Sequence, residues 1–158
     1  MADAGLPGKG RIEALTDGIF AVAMTLLVLD LRLPETLAAI DDAGLRKALL
    51  ALLPKLESYV ISFLVLCIFW LGHHRLMHLV RGVDHLFLWR NLLFILFITF
   101  VPFSTSLMGQ YRSLDDAPLV YGVNLGLVLA ALDWRFAAYL YLLLVFVGPM
   151  RPKPALAH

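Results

Sequence analysis

Arg11, Glu13, Thr16 and Asp17 fall inside two helical turns at the head of an otherwise apolar run. From Ile19 to Leu29 the only polar side chain is Thr25, and the run closes on Asp30. Charges at the entry to an apolar helix are costly unless they face protein or water. Arg11 and Asp17 lie off one another's helix face and cannot simply bridge. They either reach partners on other helices or snorkel to lipid headgroups. A second concentration is His73, His74, His78 and His85. His74 and His78 stand at i, i+4, close enough to share a metal. Yet no carboxylate sits at a matching position and there is no H-E-x-x-H, so basic side chains at a membrane edge are the ordinary explanation. No phosphate-binding glycine loop or Ser/His/Asp grouping appears. The expectation is no enzyme, no catalytic residue, no metal centre and no cofactor.

The elements that must position these residues are set by composition. Of 158 residues, 61% are hydrophobic and only 16% charged, with a mean hydropathy of +0.83. Soluble domains carry about 45–50% apolar and 25% charged residues. The chain therefore reads as an all-α integral membrane protein of one domain. A net charge of +1 and the lack of a basic stripe with interleaved aromatics argue against nucleic acid as a partner. The lone Cys67 lies in an apolar run and reads as a buried, inert thiol.

Taken in order, residues 1–10 read as a flexible tail. The first span is expected over 12–33, stopped by Pro34; it lacks a signal-peptide cleavage site and reads as retained. Gly44 to Leu53 is a short amphipathic segment suited to the membrane interface. The second span, 54–74, starts at Pro54, where a missing N–H is harmless, and puts Trp70 at belt level. The third, 86–108, carries Asn91 near its start and Pro102 inside, where a kink is expected. Residues 119–132 and 136–147 are short for full spans and flank Asp133 to Arg135. They read as two segments, for four to five spans within a transmembrane domain over 11–148, followed by a polar tail over 149–158. Arg75, Arg81 and Arg90 against Asp84 put the loop between spans two and three in the cytoplasm, and Lys9 and Arg11 put the N-terminus there too. Asp115 and Asp116 then fall outside. Arg151 and Lys153 fit that frame better with four spans than with five.

Arg11-x-x-x-Leu15-Thr16-Asp17-Gly18 resembles the R-x-x-x-F-S-D-G signature that opens the first span of the transmembrane protein 175 family, potassium channels of bacteria, archaea and lysosomes. Leu15 replaces Phe and Thr16 replaces Ser. Ser62-Phe63, Trp70 to His74, Asn91-Leu92-Leu93, Pro102-Phe103 and Thr105 agree as well, so the resemblance covers about residues 10 to 135. It implies a homotetramer in the plasma membrane, with the first helix of each subunit lining a central pore and potassium as the permeant ion. It also implies that Val22, Leu26 and Leu29 form an apolar constriction and that Thr25 supplies a ring of hydroxyls. Val22 is smaller than the isoleucine or leucine usual in the family, which widens the narrowest ring. Family members have six helices per subunit, and too few residues follow Arg135 for two more spans. On that reading the chain is a compact variant or a relic that no longer conducts.

Spacing is compatible with that placement. Residues 22, 25, 26 and 29 share one helix face, and Gly18 and Ala21 nearby permit close helix approach. Apolar rings meeting at one level would make a dewettable gate, and Asp30 near the outer mouth would concentrate cations. Such a stripe also suits a helix facing lipid or a neighbour. The resemblance implies that Arg11, Thr16, Asp17 and Gly18 anchor the first helix to the second and third, with His73, His74 and Asn91 as available partners. Protonation of either histidine would then alter opening near neutral pH. The rival readings are a non-conducting interaction subunit, docking through the Gly18 and Ala21 face, or a small transporter, for which no internal repeat is visible.

Overall fold

A computed structural model describes residues 7–33 and 41–132. These residues are all-helical: α1 (Lys9–Val28), α2 (Asp42–Ala51), α3 (Leu53–Leu79), α4 (His85–Gln110) and α5 (Asp116–Leu132). The segments 136–147 and 149–158, and the charged triplet Asp133 to Arg135, lie outside the described residues.

Local chemistry explains the helix starts. Asp41 caps α2 by accepting from the Gly44 N–H at 2.8 Å, and Asp84 caps α4 by accepting from the Phe87 N–H at 2.7 Å. Each satisfies one donor that a first helical turn leaves unpaired. Pro54 sits in the first turn of α3, where its missing N–H costs nothing. Helix α4 continues through Pro102, which removes the N–H that would bond the Ile98 carbonyl.

Two boundaries of the first element differ from expectation. Gly8 is the N-cap and Lys9 already begins α1, so the helix intrudes on the tail expected over 1–10. At its other end α1 stops at Val28 rather than running to Leu33, and Leu29 is its C-cap. Side chains compete there for the backbone and for Asp30. The Arg32 guanidinium donates to the Leu29 carbonyl at 2.8 Å, while Asp30 turns toward α4. Helix α3 runs past the expected His74 to Leu79, because Arg75 to Leu79 keep a helical pattern until Val80 turns extended.

Helices α3 and α4 are each long and apolar enough to cross a membrane, with mean hydropathies of 1.7 and 2.0 in their most apolar stretches. Helix α1 has the length, 20 residues, but its first half carries Lys9, Arg11, Glu13 and Asp17. The bundle alternates in direction. Thr16, His73 and Asn91 bring the start of α1, the end of α3 and the start of α4 to one level. Asp30, Lys55 and Ser106 bring their opposite ends together. Helix α4 packs most extensively on α5 and also meets α1 and α3. Phe20, Leu66, Phe69, Phe94, Ile98 and Val128 form the centre of the core, with the Phe20 and Phe94 rings 5.8 Å apart. The outer faces of α3, α4 and α5 expose large apolar side chains such as Leu64, Ile68, Leu96 and Val123. Water would not tolerate so much contiguous apolar surface, whereas lipid does.

Candidate functional site

Helix α1 divides its residues between two environments. Ile12, Thr16, Phe20, Ala23 and Leu27 are buried against the bundle. On the opposite face Gly18, Ala21 and Thr25 are exposed, as are Val22 (54%), Leu26 (44%) and Leu29 (51%). The face that the spacing singles out is thus the one the subunit leaves uncovered. Leu29, at the helix end, keeps register with Val22 and Leu26. The Thr25 hydroxyl donates to the Val22 carbonyl at 2.8 Å. Its proton is therefore committed inward, and its oxygen remains an acceptor at the exposed face. A Cβ placed on Gly18 would meet nothing within 4 Å.

Behind this face a directed hydrogen-bond chain ties three helices together. His73 Nε2 lies 2.8 Å from Asn91 Oδ1, Asn91 Nδ2 donates to Thr16 Oγ1 at 3.1 Å, and Thr16 Oγ1 donates to the Ile12 carbonyl at 2.9 Å. Because Asn91 Oδ1 only accepts, His73 must donate from Nε2. All three side chains are buried, and the His73 ring stacks on Phe94 with centroids 5.2 Å apart and planes 6° apart. Such a chain is costly to leave half made and therefore sets how α1 sits against α3 and α4.

The remaining residues singled out in the sequence are placed differently. Asp17 accepts from Trp70 Nε1 at 2.8 Å. His74 does not join the buried chain; it stacks on Trp70 at 5.7 Å and pairs with His78. Arg11 is exposed and its side chain makes no hydrogen bond or ion pair among the described residues, so the partner expected for it on another helix is not seen there. Asp30 is half-buried: Oδ1 accepts from Ser106 Oγ at 2.8 Å and Gln110 Nε2 at 3.1 Å, with Lys55 Nζ at 4.0 Å.

Comparison with known proteins bears directly on this arrangement. The family model described as the endosomal/lysosomal potassium channel TMEM175 matches residues 11–102, which span the signature, the buried chain and α4 to Pro102. The chain belongs to the TMEM175 family. Among similar proteins, a potassium channel of Chamaesiphon minutus is 40% identical over 121 residues, covering 77% of this chain and 59% of the relative. One of Streptomyces collinus is 39% identical over 130 residues, covering 82% and 62%. The alignments thus take in about three-fifths of each bacterial relative. A crystal structure of a lysosomal potassium-selective TMEM175 homologue from Chamaesiphon minutus superposes with a TM-score of 0.71 at 31% identity, covering 88% of this chain and 80% of that one. These relatives are named as channels rather than enzymes, in keeping with the missing catalytic groupings, and they make this TMEM175 member a membrane protein.

Sequence reasoning left several polar residues of this TMEM175 chain without a bonding role. Trp70 was read as a belt aromatic, yet its indole N–H holds Asp17. Toward the Asp30 end of the bundle, Thr105 Oγ1 donates to Ser62 Oγ at 2.8 Å, and Ser62 pairs with Tyr121 Oη at 3.0 Å. Next to them Asn124 Nδ2 donates to Ser104 Oγ at 3.0 Å, while buried Asn124 Oδ1 has no partner among the described residues. Hydroxyls and amides recurring inside apolar spans were the available signal. In the loop after α4, Arg112 bonds Glu57 through its two terminal guanidinium nitrogens, which raises the Arg112 pKa above its already high value. Both groups are about half exposed, so the pair contributes little to stability.

Proposed function

We propose that this chain is a subunit of a homotetrameric, potassium-preferring cation channel of the plasma membrane, with its N-terminus in the cytoplasm and α1 lining the pore. The observation that carries the reading is the uncovered face of α1. Helix α4 also exposes a threonine bonded to its own backbone, Thr99, so what supports a pore role for the α1 face is its place on the helix that carries the family signature. The names of the bacterial relatives as potassium channels supply the ion. In this arrangement Val22, Leu26 and Leu29 form apolar rings around the axis. Rings of this kind exclude water when narrow and so block hydrated ions until they widen. Thr25 offers oxygens to a cation that has shed part of its shell. Asp30, beyond the end of α1, adds negative charge at the mouth, moderated by Lys55. The Thr16–Asn91–His73 chain holds each α1 at a fixed position relative to α3 and α4, and the charge state of His73 offers a route to pH-dependent opening. Potassium is the cargo, with no resident cofactor.

Potassium flux into liposomes carrying the purified chain tests this reading, wild type beside Leu26→Asn, with sodium as competitor. A polar side chain at the constriction is expected to raise flux while leaving potassium preferred. Tetramers without flux in either protein would refute conduction. Absence of both flux and oligomer would favour a non-conducting interaction subunit that docks through the Gly18 and Ala21 face.

A further inference from the structure

The last turns of α3 hold a side-chain pair that the channel reading does not use. His74 and His78 are both exposed, and their Nε2 atoms face each other at 3.1 Å. The rings meet edge to face, with centroids 4.7 Å apart and planes at 89°. A neutral pair can make this contact only if one Nε2 carries a proton and the other offers its lone pair. The same separation suits two ligands of one metal ion. At a metal–nitrogen distance of about 2.05 Å, two cis ligands lie roughly 2.9 Å apart at a right angle and roughly 3.3 Å apart at the tetrahedral angle. The observed spacing falls between the two geometries.

We infer that His74 and His78 form a chelating site for one divalent transition-metal ion of the copper, nickel and zinc class. Both ligands are imidazoles, which suit these borderline ions and discriminate against magnesium and calcium. The residues stand one helical turn apart, so the backbone already holds them in place, and binding has only to re-aim two exposed rings. No group of three or more His, Cys, Asp or Glu positioned for a metal occurs among the described residues. Among the described residues the ion is held by two protein nitrogens, and water completes its shell, which makes the site an exchangeable one rather than a structural centre. In taking the ion, the proton shared between the Nε2 atoms moves to a ring Nδ1 and both Nε2 lone pairs become ligands. His74 also stacks on Trp70 at 5.7 Å, and Trp70 donates to Asp17 on α1. An ion fixing the His74 ring therefore stiffens a contact that ends on the first helix.

The test is calorimetric titration of the purified full chain in nanodiscs with copper, nickel, zinc and magnesium ions. Wild type is compared with His74→Gln, His78→Gln and the double variant, and elution on size exclusion checks that each remains folded. The expected result is one ion per chain in wild type, tightest for copper and undetectable for magnesium. Each single variant should bind at least tenfold more weakly, the double variant no more weakly than either single one. Chelator-reversible quenching of tryptophan fluorescence by copper, lost in His78→Gln, would support the site independently through Trp70. Binding within twofold of wild type in both single variants would overturn the inference, and so would loss in only one of them, which assigns the ion to a lone histidine. Because binding is read directly, the outcome does not depend on whether the protein conducts.

Discussion

Replacing Asn91 by leucine probes the contact that seats α1 on the bundle. The substitution keeps a branched side chain of similar reach but removes both amide groups. Two hydrogen bonds are lost, from His73 at 2.8 Å and to Thr16 at 3.1 Å. Interhelical bonds in membrane bundles average about 0.6 kcal/mol each. Their losses are unequal in consequence. Thr16 keeps its own bond to the Ile12 carbonyl, whereas His73, only 4% exposed, is left with a buried donor and nothing to accept from it. An unsatisfied buried donor costs about 1–3 kcal/mol. Together these make about 2–4 kcal/mol, a fall of roughly 4–16 °C in Tm for a chain of this size. Thr16→Val should cost less, and thermal unfolding of both single variants and the double should reveal coupling of about 0.6 kcal/mol or more. If Asn91→Leu unfolds within about 0.5 kcal/mol of wild type, the chain does not seat α1 and the reasoning fails.

Other perturbations separate the roles assigned to neighbouring residues. Thr25→Val, whose hydroxyl bonds only its own helix, should leave Tm unchanged while lowering the potassium-to-sodium flux ratio; an unchanged ratio removes Thr25 from the ion path. Gly18→Ala meets no neighbouring atom and should stabilise the helix by about 0.5–1 kcal/mol. Gly18→Leu should instead block tetramer formation on size exclusion, and normal assembly would place that face away from other subunits. Asn124→Leu forfeits one bond to Ser104 but removes the unpartnered Oδ1. Its Tm should match or exceed wild type, and a clear loss would mean that the amide has a second partner. Flux recorded across roughly pH 5.5 to 8 should vary in wild type and flatten in His73→Phe; equal pH dependence in the two would clear His73 of gating.

The extent to which this protein is legible from its sequence follows from the range over which each feature is determined. Composition and apolar run length are sums over neighbours in the chain, so membrane residence, the all-helical class and the existence of α3, α4 and α5 could all be read without coordinates. The exposed face of α1 could be read in part, because i, i+3, i+4 and i+7 share a face whatever the surroundings. Its end could not: Leu29 becomes the C-cap because Arg32 bonds the Leu29 carbonyl and Asp30 turns to Ser106, Gln110 and Lys55. The Arg32 bond is local, but the partners of Asp30 lie on helices far away in sequence.

Partner selection within the polar residues likewise belonged to the tertiary structure. Thr16, Asp17, His73, His74 and Asn91 were recognisable as a set, but not who bonds whom. His73 and His74 are adjacent, and one helical step of about 100° sends them to opposite environments, His73 inward to Asn91 and His74 outward to Trp70 and His78. Arg11, equally prominent in the signature, found no partner among the described residues because α1 begins at Lys9 and holds Arg11 on its exposed side. A hydrogen bond needs its atoms within about 3 Å, and only the packing of α1 against α3 and α4 sets distances on that scale.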